Sequence, residues 1–218
     1  LKESRTARKK RALAIAGRLH AAYPDAGCTL DFRNPFELLI ATILSAQCTD
    51  ERVNAVTKTL FRRYRKPEDY VRARPGQLEA DIRSTGFFRM KAKAIRELSR
   101  DVLHRHGGKV PRDMEGLVAL RGVGRKTANV VRAAAWGEPG IIVDTHFKRL
   151  AGPRLSLTRE SDPVKIEVDL QDLLPKDEWS FFSHALIIHG RHCCKARKPA
   201  CDRCSLLDLC PFPGKCVR

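Results

Sequence analysis

Apolar positions along this chain recur at steps of three and four, the repeat that gives a helix one apolar face. Phe36, Leu39, Ile40, Ile43 and Leu44 follow it first. Asp50 then reads as the cap of a helix that carries Val53, Val56 and Leu60 on one side. Lys91 to His104 carries Ala94, Ile95, Leu98 and Val102 at the same spacing. Shorter helices are expected over Met114 to Leu120 and Lys126 to Trp136. Pro163 to Leu174 is amphipathic, with Val164, Val168 and Leu174 among acidic residues, and Trp179 to His189 is apolar enough to be buried. Turn signals at Tyr23-Pro24, Arg74-Pro75-Gly76, Gly107-Gly108 and Gly137-Glu138-Pro139-Gly140 punctuate helices rather than hairpins. No alternating run reads as a strand and no internal repeat is evident, so the predicted class is all-α.

Composition narrows the partner. The 218 residues suffice for one large domain or two small ones. Lys and Arg number 42 against 25 Asp and Glu, a formal net charge of +17. A surface of that sign needs a polyanion outside itself, and nucleic acid is the commonest. The hydrophobic share of 43% is enough for a packed core. The longest charge-free run of the first half, Leu38 to Thr49, has 12 residues, too short to cross a bilayer, and the N-terminus lacks an apolar signal core. A soluble, basic, intracellular protein with no membrane partner is expected. Its first eleven residues, LKESRTARKKR, read as a solvated, frayed start, with a DNA contact or a targeting signal as the alternatives.

Of the eight cysteines, six fall in the last 26 residues. A disulfide scaffold would spread its bridges along a small secreted chain, so this local cluster reads as a metal site. The set Cys194-x6-Cys201-x2-Cys204-x5-Cys210 departs from ferredoxin spacings and lacks the paired C-x2-C knuckles of zinc sites. Spacing alone leaves iron–sulfur and zinc both open. Lys195, Arg197 and Lys198 lie between the first two cysteines, three cations on a pinned loop that can bind phosphate. Cys28, Cys48 and Cys216 read as ordinary thiols.

Residues Leu120 to Val131 read LRGVGRKTANVV. A short helix ends, two glycines follow, and a second helix begins. Gly122 and Gly124 allow a tight turn because glycine reaches positive φ without a Cβ clash. The exposed N–H groups of Gly122, Val123, Gly124 and Arg125 then meet the positive end of the second helix, which makes a phosphate seat. An ordinary helix–helix turn is the plain alternative. Lys126 stands in the first turn of that helix, the wrong end for a cation. With partial burial, this setting favours a free, nucleophilic amine; a surface lysine gripping phosphate is the alternative. Downstream, GIIVDTHFKRL places Asp144 as the cap of a helix beginning Thr145-His146. A carboxylate there can also stabilise a developing sugar cation or move protons.

LLIATILSAQCTD, LRGVGRKTANVV, VDTHFKR and IHGRHCCKARKPACDRC follow one another in this order. Together they resemble the endonuclease III branch of the helix-hairpin-helix DNA glycosylases, over about Ala12 to Cys210. The resemblance implies two helical modules flanking a DNA groove. A six-helix module with the helix-hairpin-helix would span 28–138. A discontinuous module of 1–27 and 139–218 would end in a [4Fe–4S] loop. The implied activity is excision of oxidised or ring-saturated pyrimidines from duplex DNA, then strand cleavage at the abasic site, by an intracellular monomer, cytoplasmic if the source is a bacterium. Lys126 matches the family's nucleophilic lysine and Asp144 its essential aspartate. Cys194, Cys201, Cys204 and Cys210 match the cluster ligands, and Cys193, one residue too far from Cys201, is left out. Gln47 in LSAQ and Phe87 in TGFF match the side chains that fill the hole left by a flipped base. Many relatives carry leucine in place of Phe87, and core packing is its alternative. His146 matches a position beside the aspartate, with local hydrogen bonding as the alternative. Two rival functions remain: a non-enzymatic helix-hairpin-helix DNA-binding module, and a monofunctional purine-mismatch glycosylase. The latter usually carries a serine-like residue where Lys126 stands.

Overall fold

The structure, a computed structural model, describes residues 3–212. Cys216 lies outside them. In chain order the α-helices are α1 (Arg5–Ala22), α2 (Pro35–Leu44), α3 (Asp50–Arg63), α4 (Pro67–Arg72), α5 (Gln77–Asp81), α6 (Phe88–His106), α7 (Met114–Val118), α8 (Arg125–Trp136), α9 (Thr145–Arg149), α10 (Pro163–Leu173) and α11 (Trp179–His192). No strand occurs among the described residues, as the all-α prediction requires, and no helix among them is long and apolar enough to cross a membrane. The chain divides into two compact units, Thr29–Gly137 and the flanking segments up to Cys28 and from Glu138 onward.

In the unit Thr29–Gly137, α2 is the centre. Phe36, Leu38, Leu39, Ile40, Ala41 and Leu44 are all buried, and a helix apolar on nearly every side survives only inside a core. It packs against α3, α6 and α8. Asn34 caps it by accepting from the Glu37 N–H at 2.9 Å, and Pro35 presets the first helical φ. The α3 cap differs from expectation: Thr49, not Asp50, accepts from the Arg52 N–H at 3.3 Å. A threonine one position earlier satisfies the orphan N–H, and Asp50 becomes the first helical residue and accepts from Thr29.

In the other unit, α1 packs on α10 and α11. The frayed start is contradicted from Arg5 onward. Ser4 caps α1 by accepting from the Ala7 N–H at 3.1 Å, and Ala12, Ile15, Ala16 and Leu19 form its buried stripe. Arg11 pairs with Glu3 at 2.7 Å and donates to the Leu155 carbonyl at 2.6 Å, while Arg5 pairs with Asp172. The basic residues thus ride a helix that is anchored further along its length. On α10 the predicted face holds at one of its three positions: Leu174 is buried, but Val164 and Val168 are exposed. Ile166, Leu170 and Leu173 take the buried side. Both sets have helical spacing, and the set with three large aliphatic side chains removes more apolar area from water. The apolar α11 is buried at Phe182, Ala185, Leu186 and Ile187, as its composition predicts.

Candidate functional site

The hairpin between α7 and α8 is held from behind by α6. The Asp101 carboxylate accepts from the Arg121 N–H at 2.9 Å, and Arg105 donates to the Ala119 carbonyl at 3.1 Å. Gly122 has φ +80, a left-handed conformation that glycine adopts without strain. Gly124 does not share it. Its φ is −90 and it is the extended N-cap of α8, so the expectation that both glycines supply positive φ holds only for Gly122. A Cβ built at Gly124 meets nothing within 4 Å. Gly124 makes no side-chain cap bond and no acidic residue stands in the first turn of α8, so no carboxylate of that turn offsets the positive end of the helix dipole. Val123 is buried and anchors the loop; Gly122, Gly124 and Arg125 are exposed. Lys126 is exposed as well, in the first turn of α8. The partial burial expected for it is absent.

In the other unit, the segment before α9 is fixed to α11 by two serines. Ser183 Oγ accepts from the Ile142 N–H at 2.9 Å, and Ser180 Oγ from the Gly140 N–H at 3.2 Å. Ile141 and Ile142 are buried, so the chain reaches Asp144 along a rigid path. Asp144 Oδ1 accepts from the Phe147 N–H at 2.7 Å, the predicted N-cap, and the residue is half-buried. His146 turns its Nδ1 toward Arg149 Nη2, 3.5 Å away. Arg149 also donates to the carbonyls of Gly190 and Cys194, at 2.9 and 2.8 Å. That clamp needs α9 and α11 close together, and Gly190 permits it: a Cβ there would lie 3.0 Å from the His146 Cβ. Nothing in the sequence singles out Arg149, which matches no apolar stripe and no metal spacing.

Cys193, Cys194, Cys201, Cys204 and Cys210 line one small cavity whose other walls include Pro199, Leu207 and Phe212. Short 3-10 turns over Cys201–Arg203 and Leu207–Leu209 bring the thiols inward. Arg154 donates to the Ala196 carbonyl at 3.3 Å and steadies the loop whose Lys195, Arg197 and Lys198 are exposed. Four of these five thiols suffice for the all-thiolate donor set that a [4Fe–4S] cluster takes, a set that tetrahedral zinc also accepts. His189, Cys193 and Cys204 offer ligand atoms within 4.8 Å of one another, yet three donors of mixed type do not complete either site. Burial pushes the Cys194 thiol up and His189 down to about 4, so the imidazole is neutral. Its Nε2 faces Cys204 Sγ at 3.5 Å and its Nδ1 faces the Tyr23 hydroxyl at 3.0 Å. A neutral ring beside a thiol supports a metal-bound thiolate.

Gln47 and Phe87 share an unusual backbone. Among the described residues only Gln47, Phe87, Ser156 and Lys198 are non-glycine residues at positive φ. Gln47 has φ 53 in the turn after α2, and Phe87 has φ 48 immediately before α6. Both are exposed, Phe87 at 56%, so core packing does not account for Phe87. Large side chains presented to water on strained turns are characteristic of contact sites.

Comparison with known proteins places these features in a family. Residues 40–176 match the HhH-GPD superfamily base excision DNA repair proteins, and residues 194–210 match the iron-sulfur binding domain of endonuclease III. The chain is 51% identical to endonuclease III of Synechocystis over 205 residues, covering 94% of this chain and 93% of that protein. It is 51% identical over 189 residues to endonuclease III of Bacillus subtilis, covering 86% of each. A solved structure of a trapped covalent endonuclease III–DNA intermediate aligns with a TM-score of 0.87 at 46% identity, over 94% of this chain and 96% of that one.

Proposed function

Because the chain belongs to the endonuclease III family of base excision repair enzymes, which are bifunctional DNA glycosylases and AP lyases carrying a [4Fe–4S] cluster, we propose that Lys126 is its nucleophile. The substrate is duplex DNA bearing an oxidised or ring-saturated pyrimidine, or an abasic site, and the enzyme acts on it as a monomer inside the cell. The observation that carries this reading is Lys126 itself, exposed at the head of α8 directly after the Gly122-Val123-Gly124 turn.

A duplex hides the glycosidic carbon, so the damaged nucleotide is first turned out of the stack. Gln47 and Phe87 enter the vacated space, Gln47 hydrogen-bonding the orphaned partner base and Phe87 stacking. The backbone N–H groups of the exposed hairpin, with Arg125, hold backbone phosphate, and Lys195, Arg197 and Lys198 add a second cationic contact. His146 contributes beside Asp144. The lone pair of Lys126 Nζ attacks C1′. The glycosidic bond breaks, its electron pair leaves with the base, and the base takes up a proton. The C1′–O4′ bond then breaks, O4′ takes its electron pair and a proton given up by Nζ, and a protonated Schiff base is left between Nζ and C1′. That cation acidifies the C2′ proton; its loss sends electrons toward C3′ and expels the 3′ phosphate. Water then hydrolyses the imine and frees Lys126. Asp144 stabilises the cationic sugar and relays protons.

Cys194, Cys201, Cys204 and Cys210 would hold the cluster, a set supported by the bounds of the iron–sulfur match, which runs over residues 194–210. When bound, it supplies iron–thiolate bonds that pin the basic loop.

Borohydride trapping is the test. Incubated with a thymine glycol duplex, the protein becomes covalently joined to DNA, and Lys126→Gln neither traps nor releases base while still binding abasic-site duplex. Trapping at wild-type level by Lys126→Gln would refute the nucleophile. Release of adenine opposite 8-oxoguanine, without trapping, would refute the pyrimidine-lesion assignment.

A further inference from the structure

By sequence, Lys91 marks only the start of a helix. In the structure it lies near the beginning of α6, on the stripe that buries Ile95, Leu98 and Val102, and it is itself 5% exposed. Its Nζ donates to two backbone carbonyls, that of Leu44 at 2.8 Å and that of Thr85 at 2.7 Å. Leu44 is the last residue of α2, three positions before Gln47. Thr85 ends the 3-10 turn Arg83–Thr85, two positions before Phe87. Carbonyls at helix C-termini lack intrahelical partners and carry the negative end of the dipole. One ammonium therefore closes both ends at once. Burial pulls the Lys91 pKa down, a sign that holding the charge here is unfavourable by itself. An aliphatic side chain would suit the stripe better. What the charge supplies is a fixed spacing between two turns whose next residues, Gln47 and Phe87, both stand in the left-handed region.

We propose that Lys91 is a positioning residue that ties the Gln47 turn to the Phe87 turn and sets their register for insertion into duplex DNA. Its role is upstream of chemistry: it touches neither the lesion nor the sugar. The proposal rests on the assignment of Gln47 and Phe87 as the inserted pair.

The test compares one lesion in two settings. Thymine glycol is placed in a fully paired duplex and in a bubble whose neighbouring bases are unpaired. A paired duplex must be opened by the inserted side chains, whereas the bubble needs little opening. Single-turnover base release is measured for the wild type and for Lys91→Met, which keeps length and removes the charge and both hydrogen bonds. A misplacement of about 1 Å costs roughly 100-fold, so Lys91→Met slows by about that factor on the duplex and by less than about threefold on the bubble. Lys91→Arg, which retains a cationic donor, recovers part of the duplex rate. Equal loss on both substrates, or no loss on the duplex, overturns the proposal. If Lys91→Met does not fold, Lys91→Gln takes its place and the same ratio decides. Gln47→Ala and Phe87→Ala run alongside. If they leave the duplex-to-bubble ratio unchanged, the inserted pair is misassigned. If they lower it and the Lys91 variants do not, only the tie fails.

Discussion

Asp144 serves as a cap and as a reacting carboxylate, and one pair of substitutions separates the two. Its Oδ1 accepts from the Phe147 N–H at 2.7 Å, and Phe147 is fully buried. Asp144→Asn leaves a side-chain oxygen in the same position, and Asn caps about as well as Asp. It forfeits the favourable charge at the helix N-terminus, which on a helix as short as α9 sits at the low end, about 0.3 kcal/mol. Asp144→Ala removes the oxygen too, a further loss of about 1–2 kcal/mol because a buried N–H is left without its acceptor. Each kcal/mol lowers Tm by about 2–4 °C in a chain of this size. Asp144→Asn should therefore melt within about 1 °C of wild type, and Asp144→Ala about 3–9 °C lower. Catalysis should follow charge rather than stability. Both variants should release thymine glycol about 100- to 1000-fold more slowly, the range for removing one preorganised electrostatic partner. Calorimetry and single-turnover base release measure the two quantities on the same samples. Wild-type release by Asp144→Asn would refute the chemical role. Equal Tm loss in both variants would refute the capping role.

The hairpin glycines give a sharper contrast than their shared motif suggests. Gly122→Ala forces a Cβ into φ +80 and should destabilise by about 1–2 kcal/mol, read by chemical denaturation. Gly124→Ala, at φ −90 with open space around the new Cβ, should stay within about 0.5 kcal/mol of wild type while weakening binding to undamaged duplex. The cationic loop should show itself in salt dependence. Removing Lys195 or Arg197, both exposed, should each lower the slope of log K against log[salt] by about 1 in a fluorescence anisotropy titration, without altering sequence preference.

How much of this was legible in the sequence depended on distance along the chain. The α2 core stripe and the Asp144 cap are local: a repeat of three and four, and an aspartate followed by a helical turn. Both were readable. The α10 face was readable only at Leu174, because Val164 and Val168 compete with Ile166, Leu170 and Leu173 at equal periodicity, and only packing chooses. The basic start misled because composition dominated a segment whose anchoring residues, Ala12 and Ile15, lie beyond it. Lys126 could be placed at a helix head, but its exposure is a tertiary property. The cysteine spacing marked out a donor set. It could not reveal that Arg149, 45 residues from Cys194, and Arg154, 42 from Ala196, hold the loop from outside. Lys91 did leave a signal, a lysine on an apolar stripe, which is rare enough to be read as a buried tie.

Backbone strain connects these observations. A non-glycine residue in the left-handed region costs about 1–2 kcal/mol, and glycine at the same place would relieve it. The hairpin turn takes that route at Gly122. Gln47, Phe87 and Lys198 do not, although each occupies a turn that glycine would satisfy. A glycine offers N–H groups to a phosphate but has nothing to insert between bases and no charge to present. Where the backbone itself is the contact, glycine serves; where a side chain must project, the strain is borne and the surroundings must oppose it. For Gln47 and Phe87 that opposition includes the two carbonyls bound by Lys91. For Lys198 it includes the Arg154 contact to Ala196 and the flanking cysteines. On this view a cluster-free protein should lose the Lys198 geometry before it loses the hairpin, because Gly122 carries no left-handed strain and the α6 contacts that hold the hairpin do not involve the cysteines.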